Sequence, residues 1–519
     1  MVLRSNKIAH SSAMAPGESH VHVKITTTNI ITILVAGMGS FVFGYANNSI
    51  AGSFVQTSFV EKFLSSGNAD SVIGGILGGF LGGGLLGAII QAPISNRFGR
   101  RIATGSAAVL TVLSGALQAG STHIAMFIVA RIICGIGAGI VITNCPVYMS
   151  EISPPHVRGM MVGNHAISIV YAYIISSLFA LAFNYVDAPY QWRLQFILLA
   201  FFGLVLLASL FALPESPRWL CEVGREEEAW EVVKHLHQPK DGADDRLARA
   251  EMAQIKAQME TESHLPRGYM HIVRTPALRH RAICSILTWI MGQSTGILVI
   301  ANLTPVLLGT LGFSLVMQLG LSIVWTVCAL LGCYVNAAFM DRIGRVKLLA
   351  LGGVLCSITL IVEAVLQKYY LGSTNTSGIN AAVAFYFLFI FVYGCTVDCA
   401  AYVYISEIWP THLRSYGNTI GIVTFFSSAI TYTSPATLAF ENIGWKYYLV
   451  MTSVCIVSSI AILLVCPEVH SPQTAKLSLE EINAAFGDPV ALEAPDMIDS
   501  EGKSVIEIGQ EIRIEDIRE

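Results

Sequence analysis

Twelve runs of predominantly apolar residues, each long enough to cross a lipid bilayer, constrain this 519-residue chain more than any other feature. They lie near 30–51, 71–93, 102–120, 124–147, 162–185, 195–213, 282–306, 315–339, 347–366, 381–405, 417–439 and 447–466. A helical span needs roughly 20 apolar residues. Inside lipid every backbone N–H and C=O must be satisfied internally, so runs of this length read as helices. Charged residues make up only 13% of the chain, against about 25% in a soluble domain. The fold class is therefore an all-α membrane protein with twelve transmembrane helices.

Lys and Arg set the orientation. With both termini in the cytoplasm, 26 of the 31 basic residues fall inside. Lys62, Arg193, Lys368 and Lys446 fall outside, and Arg131 is a buried cation within the fourth span. The longest polar insert, 214–281, separates an N-terminal six-helix half (30–213) from a C-terminal one (282–466). The insert reads as amphipathic surface helices. One carries an apolar stripe of Ala229, Val232, Val233 and Leu236, and a second starts at Asp244-Asp245 and carries Leu247, Ile255 and Met259. The N-terminal tail, 1–29, is polar and contains Pro16, so no cleavable signal peptide is expected. The cytoplasmic tail, 467–519, holds 13 acidic and 4 basic residues and reads as disordered beyond Phe486. The sequon Asn375-Thr376-Ser377 falls in an outer loop, where Asn375 is open to glycosylation.

Two cytoplasmic loops occur twice. YMSEISPPHVRG (148–159) matches YISEIWPTHLRS (404–415) at 7 of 12 positions, and NRFGRR (96–101) matches DRIGRV (341–346). Each copy sits at the same place in its own half, which indicates two pseudo-symmetric halves with a site between them. Glu151 and Glu407 end their helices at the cytoplasmic face, and Arg158 and Arg414 follow seven residues later. Arg97, Arg100, Arg101, Arg342 and Arg345 lie in the paired loops. Such charges can bridge the halves in one conformation and separate in another.

These motifs resemble the sugar porter family of the major facilitator superfamily. PISNRFGRR (93–101), ARIICGIGAG (130–139), PVYMSEISPPHVRG (146–159), PESPRWL (214–220) and YVYISEIWPTHLR (402–414) occur in the family's order, and PEVHSPQTAKLSLEEI (467–482) is a degraded form of its tail motif. The resemblance covers roughly residues 30–485. It implies the major facilitator fold and alternating-access transport of a small polyhydroxylated solute, secondary active or facilitative. It also places Glu215, Arg218, Asp341 and Glu468 in the charge network with the paired-loop residues.

The residues that bind sugar in the family survive poorly. Ala166 stands where a Gln is usual, with His165 beside it. In GQSTGILVIANLTP (292–305), Gln293 remains, Gly292 replaces a second Gln, Leu298 an Asn, and Asn302-Leu303 a Tyr pair. Tyr402 replaces a Trp, Asp398-Cys399 a Gly-Pro pair, and Phe425-Phe426 stand where a polar residue is common. Lost amides weaken hydroxyl recognition by roughly 0.5–1.5 kcal/mol each. Gln293, Asn302, His165, Asp398, Tyr402, Phe425 and Phe426 are the expected substrate contacts. They suit a sugar-like solute, or alternatively a quinate-like acid or secondary metabolite. A non-transporting sensor is disfavoured by the short tail. The Asp usual in proton symporters is Ala46, which cannot titrate, although its partner Arg131 remains. Asp398 lies about 13 Å into the membrane by helical rise, and an acid at that depth is functional by default. Glu363 is expected to reach the outer interface.

The remaining expectations are exclusions. The 11 cysteines are scattered without zinc spacing, so no metal is expected, and no cofactor. No nucleophile–base pair suggests an enzyme. No basic run with aromatics suggests nucleic acid. The expected partners are a small-molecule substrate and the lipid bilayer, for a monomer in the plasma membrane.

Overall fold

A computed structural model describes residues 27–468 apart from 66, 154–157, 188–189, 238–245, 264 and 374. Twelve long helices form the bundle. The first half contains α1 (Thr27–Ser53), α2 (Ala69–Phe98), α3 (Arg100–Ala119), α4 (Ile124–Ile152), α5 (Arg158–Phe183) and α6 (Gln191–Ser209). The second contains α7 (Pro276–Thr310), α8 (Leu315–Ile343), α9 (Arg345–Tyr370), α10 (Thr376–Glu407), α11 (Arg414–Thr433) and α12 (Lys446–Val465). Among the described residues ten of these are long and apolar enough to cross a membrane by composition alone. The polar α11 and the N-terminal α1 complete the twelve.

Several helices outrun their apolar stretches. α2 continues to Phe98, α4 to Ile152, and α7 begins at Pro276. Hydropathy falls at the membrane surface, but the i to i+4 bonding continues into it. α11 does the reverse and stops at Thr433. Pro435 has no N–H to continue the helix, and a separate short helix, Ala436–Ile443, follows it.

Glycine sets the closest approach in the bundle. A Cβ on Gly83 or Gly87 of α2 would overlap the carbonyl oxygen of Ile132 or Ile136 in α4. A Cβ on Gly135 or Gly139 of α4 would overlap the Phe80 or Gly84 carbonyl in return. The two backbones therefore touch, as small residues permit between membrane helices.

The 214–281 insert folds into short surface helices. Trp219, Leu220, Ala229, Val233, Ala248, Met252 and Ile255 bury one another in a small separate cluster, with Val232 and Met259 against it. Leu236 joins the main core instead. The expected helix start at Asp244-Asp245, the Leu247 side chain and the tail beyond Glu468 lie outside the described residues.

One sequence expectation is corrected here. Glu363 does not reach the interface. It is 1% exposed, and its Oε1 accepts from Gln367 Nε2 at 3.0 Å. That amide also donates to the Tyr448 hydroxyl at 3.1 Å. The helix face that carries Glu363 turns toward α12 rather than outward.

Candidate functional site

A cavity of about 40 Å³ lies at mid-length of the bundle. Phe43 of α1 and Ile169, Val170 and Tyr173 of α5 line it from the first half. α7, α8, α10 and α11 line it from the second, through residues including Gln293, Leu298, Trp325, Tyr393, Asp398, Tyr402 and Phe425.

The backbone is irregular at this depth. Gly296 has φ +77°, which breaks α7 just after Gln293, and α10 passes through a π-helical turn at Gly394–Asp398. Broken helices and π-turns are tolerated within a membrane where they are buried in protein or face a cavity, and both recur at functional sites.

The aromatic lining is ordered. The Trp289 ring stands edge-on to Tyr402 and Phe425, with centroids 4.8 and 4.9 Å away. Gln293 is 2% exposed, and neither of its amide atoms has a hydrogen-bond partner among the described residues. The Asp398 carboxylate accepts from the Cys333 thiol at 3.4 Å.

Of the expected contacts, Gln293, Asp398, Tyr402 and Phe425 line the cavity and three do not. His165 shares a 2.6 Å hydrogen bond with Ser40 and stands edge-on behind Tyr402, 4.6 Å between centroids. Asn302 turns back onto its own helix and donates to the Leu298 carbonyl at 2.9 Å. Phe426 fills the notch beside Gly84. Tyr173, Trp325 and Tyr393 line the cavity without having been expected. A single aromatic in an apolar run carries no signal that separates lining from core.

The cavity is shut at both ends by bonds between the halves. At the face that bears the paired basic loops (the basic face), Ser415 Oγ donates to Asn96 Oδ1 at 2.8 Å. Thr419 Oγ1 reaches the Ala88 carbonyl at 3.4 Å and Arg414 Nη1 the Ser150 hydroxyl at 3.5 Å. At the opposite face Ser434 Oγ and Thr437 Oγ1 donate to the Gly74 and Asp70 carbonyls, each at 3.2 Å.

Two ion pairs of the charge network lie within the halves, and the charge of Arg414 acts on Glu151 across them. Arg100 meets Glu151 through two bonds, Nη2 to Oε1 at 2.7 Å and Nε to Oε2 at 2.8 Å, with both side chains buried. Arg345 faces Glu407 at 3.3 Å in the second half. Each acid ties two loops of one half together.

The PES and PEV motifs also form a matched pair. Glu215 accepts the backbone N–H groups of Arg100 (2.9 Å), Arg101 (3.1 Å) and Ser216 (2.9 Å). Glu468 accepts those of Val346 (3.1 Å) and Lys347 (3.2 Å). Each carboxylate caps the helix that starts after a positive-φ glycine, Gly99 or Gly344, where the orphan N–H groups and helix dipole favour an anion. Burial raises the Glu215 pKa above the ordinary carboxylate value, while its N–H donors pull it down.

The other basic residues separate by position. Arg97 and Arg342 are exposed against Phe98 and Phe339. Arg101 Nη2 donates to the Leu210 carbonyl at 2.7 Å, and Arg218 is buried. The Arg158 and Asp341 side chains lie outside the described residues. Arg131 is fully buried, donates to the Ala46 carbonyl at 2.8 Å and lies 4.3 Å over the Phe80 ring. Asn375 is exposed and caps α10, its Oδ1 accepting from Ser377 and Gly378.

Comparison with known proteins agrees with this architecture. A family model described as "Sugar (and other) transporter" matches residues 32–486. The "MFS-type transporter criB" of Aspergillus cristatus is 30% identical over 455 residues, 88% of this chain and 92% of that one. The "High-affinity glucose transporter" of Kluyveromyces lactis is 27% identical over 526 residues, 94% of this chain and 92% of that one. The solved structure of the proton:xylose symporter XylE bound to 6-bromo-6-deoxy-D-glucose superposes with a TM-score of 0.77 at 22% identity, covering 89% of this chain and 100% of that one. The ordered loop motifs, the twelve-helix fold and the matched family together place this chain in the Sugar (and other) transporter family, as a multi-pass carrier of a sugar or other small solute.

Proposed function

We propose that the protein works by alternating access, with its solute held in the central cavity and released to either side as the two halves rock. One observation carries this reading: the cavity is lined from both halves and shut at each end by a separate, small set of hydrogen bonds. Bonds of this kind contribute about 0.5–1.5 kcal/mol each, so either end can open at modest cost. A 40 Å³ space holds a few waters and falls well short of a ligand pocket of about 300 Å³ or more. One end must therefore widen for any solute to enter. The distribution of Lys and Arg supports assigning the basic face and both termini to the cytoplasm, and the protein is read as a monomer of the plasma membrane. No enzymatic step is assigned.

Two solute classes have support. Gln293, buried with its amide free, favours a hydroxylated solute such as the sugar named for the Kluyveromyces lactis relative. Leu298, Tyr402 and Phe425 favour a more apolar metabolite. The test is uptake by transporter-deficient cells that express the protein, screened against hexoses, pentoses, polyols, quinate and aromatic metabolites. Saturable uptake of at least one solute is expected. Uptake no faster than in empty cells across the panel, with the protein at the surface, overturns the transport reading for these solutes. Asn375 is proposed as glycosylated. Asn375→Gln should then remove an N-glycosidase-sensitive mobility shift, and a wild-type protein that shows no shift refutes it.

A further inference from the structure

Asp398 has no counterpart among the residues around it. The cavity lining holds this one acid and no Lys, Arg or His. Its hydrogen bond from the Cys333 thiol is a weak one. Among the described residues no basic side chain forms an ion pair with it. A carboxylate in the membrane interior is costly and is otherwise paired, or reserved for a ligand or an ion path. Asp398 ends the π-turn at Gly394–Asp398 and lines the cavity.

The rest of the lining supplies what a cation needs. Tyr173, Trp325, Tyr393, Tyr402 and Phe425 surround the same space. Aromatic faces attract cations through the ring quadrupole, and more strongly where water is excluded. Trp289, edge-on to both Tyr402 and Phe425, holds two of these rings in place. Ile297, Leu298, Ile390 and Val170 form apolar walls. A neutral sugar would use Gln293 and leave the carboxylate without a counter-charge.

We propose that the cavity recognises a solute with a protonated amine on an aromatic or similarly apolar body. The ammonium group sits against Asp398, the body lies among Tyr402, Phe425 and Trp325, and a polar substituent meets Gln293. This inference rests on the reading of the cavity as the solute site and adds its charge class.

The test compares tryptamine with tryptophol, its neutral alcohol analogue. Binding to the purified full chain in lipid nanodiscs is read by thermal shift, and uptake by expressing cells with radiolabelled probes. Tryptamine should bind at least tenfold more tightly than tryptophol and be taken up. Asp398→Asn should weaken tryptamine at least tenfold and leave tryptophol unchanged, while Asp398→Glu recovers part of the loss. Phe425→Leu, which leaves the acid intact, should weaken tryptamine several-fold and serves if Asp398→Asn fails to fold. Equal binding of the two probes overturns the proposal, as does unchanged tryptamine binding in Asp398→Asn, which makes the acid structural. Hexose or polyol uptake with neither probe bound also overturns it but keeps the transport reading. No uptake of any solute or probe overturns both.

Discussion

Arg100 and Arg131 are both buried cations, and they are partnered differently. Arg100 has a carboxylate in two-point contact, whereas Arg131 has one backbone carbonyl and an aromatic face, and its Nε and Nη2 have no hydrogen-bond partner among the described residues. Removing one partner of a buried pair leaves an uncompensated charge, at a cost of about 3–5 kcal/mol. Arg100→Ala and Glu151→Gln are each expected to lower the melting temperature of the purified protein markedly. The double replacement Arg100→Met with Glu151→Leu should melt above either single change, and additive losses would contradict this. At Arg131 the missing carboxylate can be supplied. Ala46→Asp places an acid on the residue whose carbonyl Arg131 already reaches. Uptake by the variant should become dependent on external pH between 5.5 and 7.5, while wild-type uptake changes less than twofold. If the wild type is itself strictly proton-driven, span one is not the route, and Asp398 is the acid to replace next.

At the scale of the element, the repeat becomes a structural device. Gly99 and Gly344, with φ of 96° and 98°, turn the chain between two helices, and the following helix would leave its first N–H groups bare. Glu215 and Glu468 reach from distant segments to accept them. A residue after span six and a residue after span twelve therefore staple the loops that follow spans two and eight. Glu215→Ala should destabilise the first half by about 1–3 kcal/mol, the cost of leaving polar groups unsatisfied, read as a lower melting temperature. Glu215→Gln keeps an acceptor and should recover part of it. A melting temperature unmoved by Glu215→Ala would show that water replaces the cap. The break in α7 and the π-turn in α10 are the other kind of element-level feature. They interrupt regular helices where the cavity is, and Gly296 permits the first because no side chain opposes its positive φ.

For the whole molecule, what matters is that the two halves meet at both ends at once. Ser415 and Asn96 come within 2.8 Å of each other across the basic face. Cysteines at these two positions should form a cross-link that holds that face shut. The Asn96→Cys, Ser415→Cys protein is expected to lose at least nine-tenths of its uptake after mild oxidation and to regain it with reductant, while each single cysteine variant is unaffected. Full uptake by a demonstrably cross-linked protein would mean that this face does not open. Arg414 spans the same junction toward Ser150. Arg414→Ala should reduce transport at least fivefold at normal surface expression.

Twelve spans, two halves and their paired loops were legible in the chain itself, because lipid leaves the backbone few alternatives and because a repeat at matched positions is visible without coordinates. The sequence also marked Gln293 as a retained family position and Asp398, Tyr402 and Phe425 as unusual for theirs, and these line the cavity. It did not separate them from His165, Asn302 and Phe426. A helix rotates its side chains by about 100° per residue, so residues one step apart, such as Phe425 and Phe426, face different neighbours. Tyr173, Trp325 and Tyr393 were invisible for the same reason. Which arginine of NRFGRR meets Glu151 was likewise undetermined by the motif, since the answer depends on where the turn at Gly99 points the chain. Composition and periodicity determined what lies in the membrane and how the halves repeat. Only the packing of one half against the other decided which side chains share the central space and which bonds close it, because those contacts join residues hundreds of positions apart.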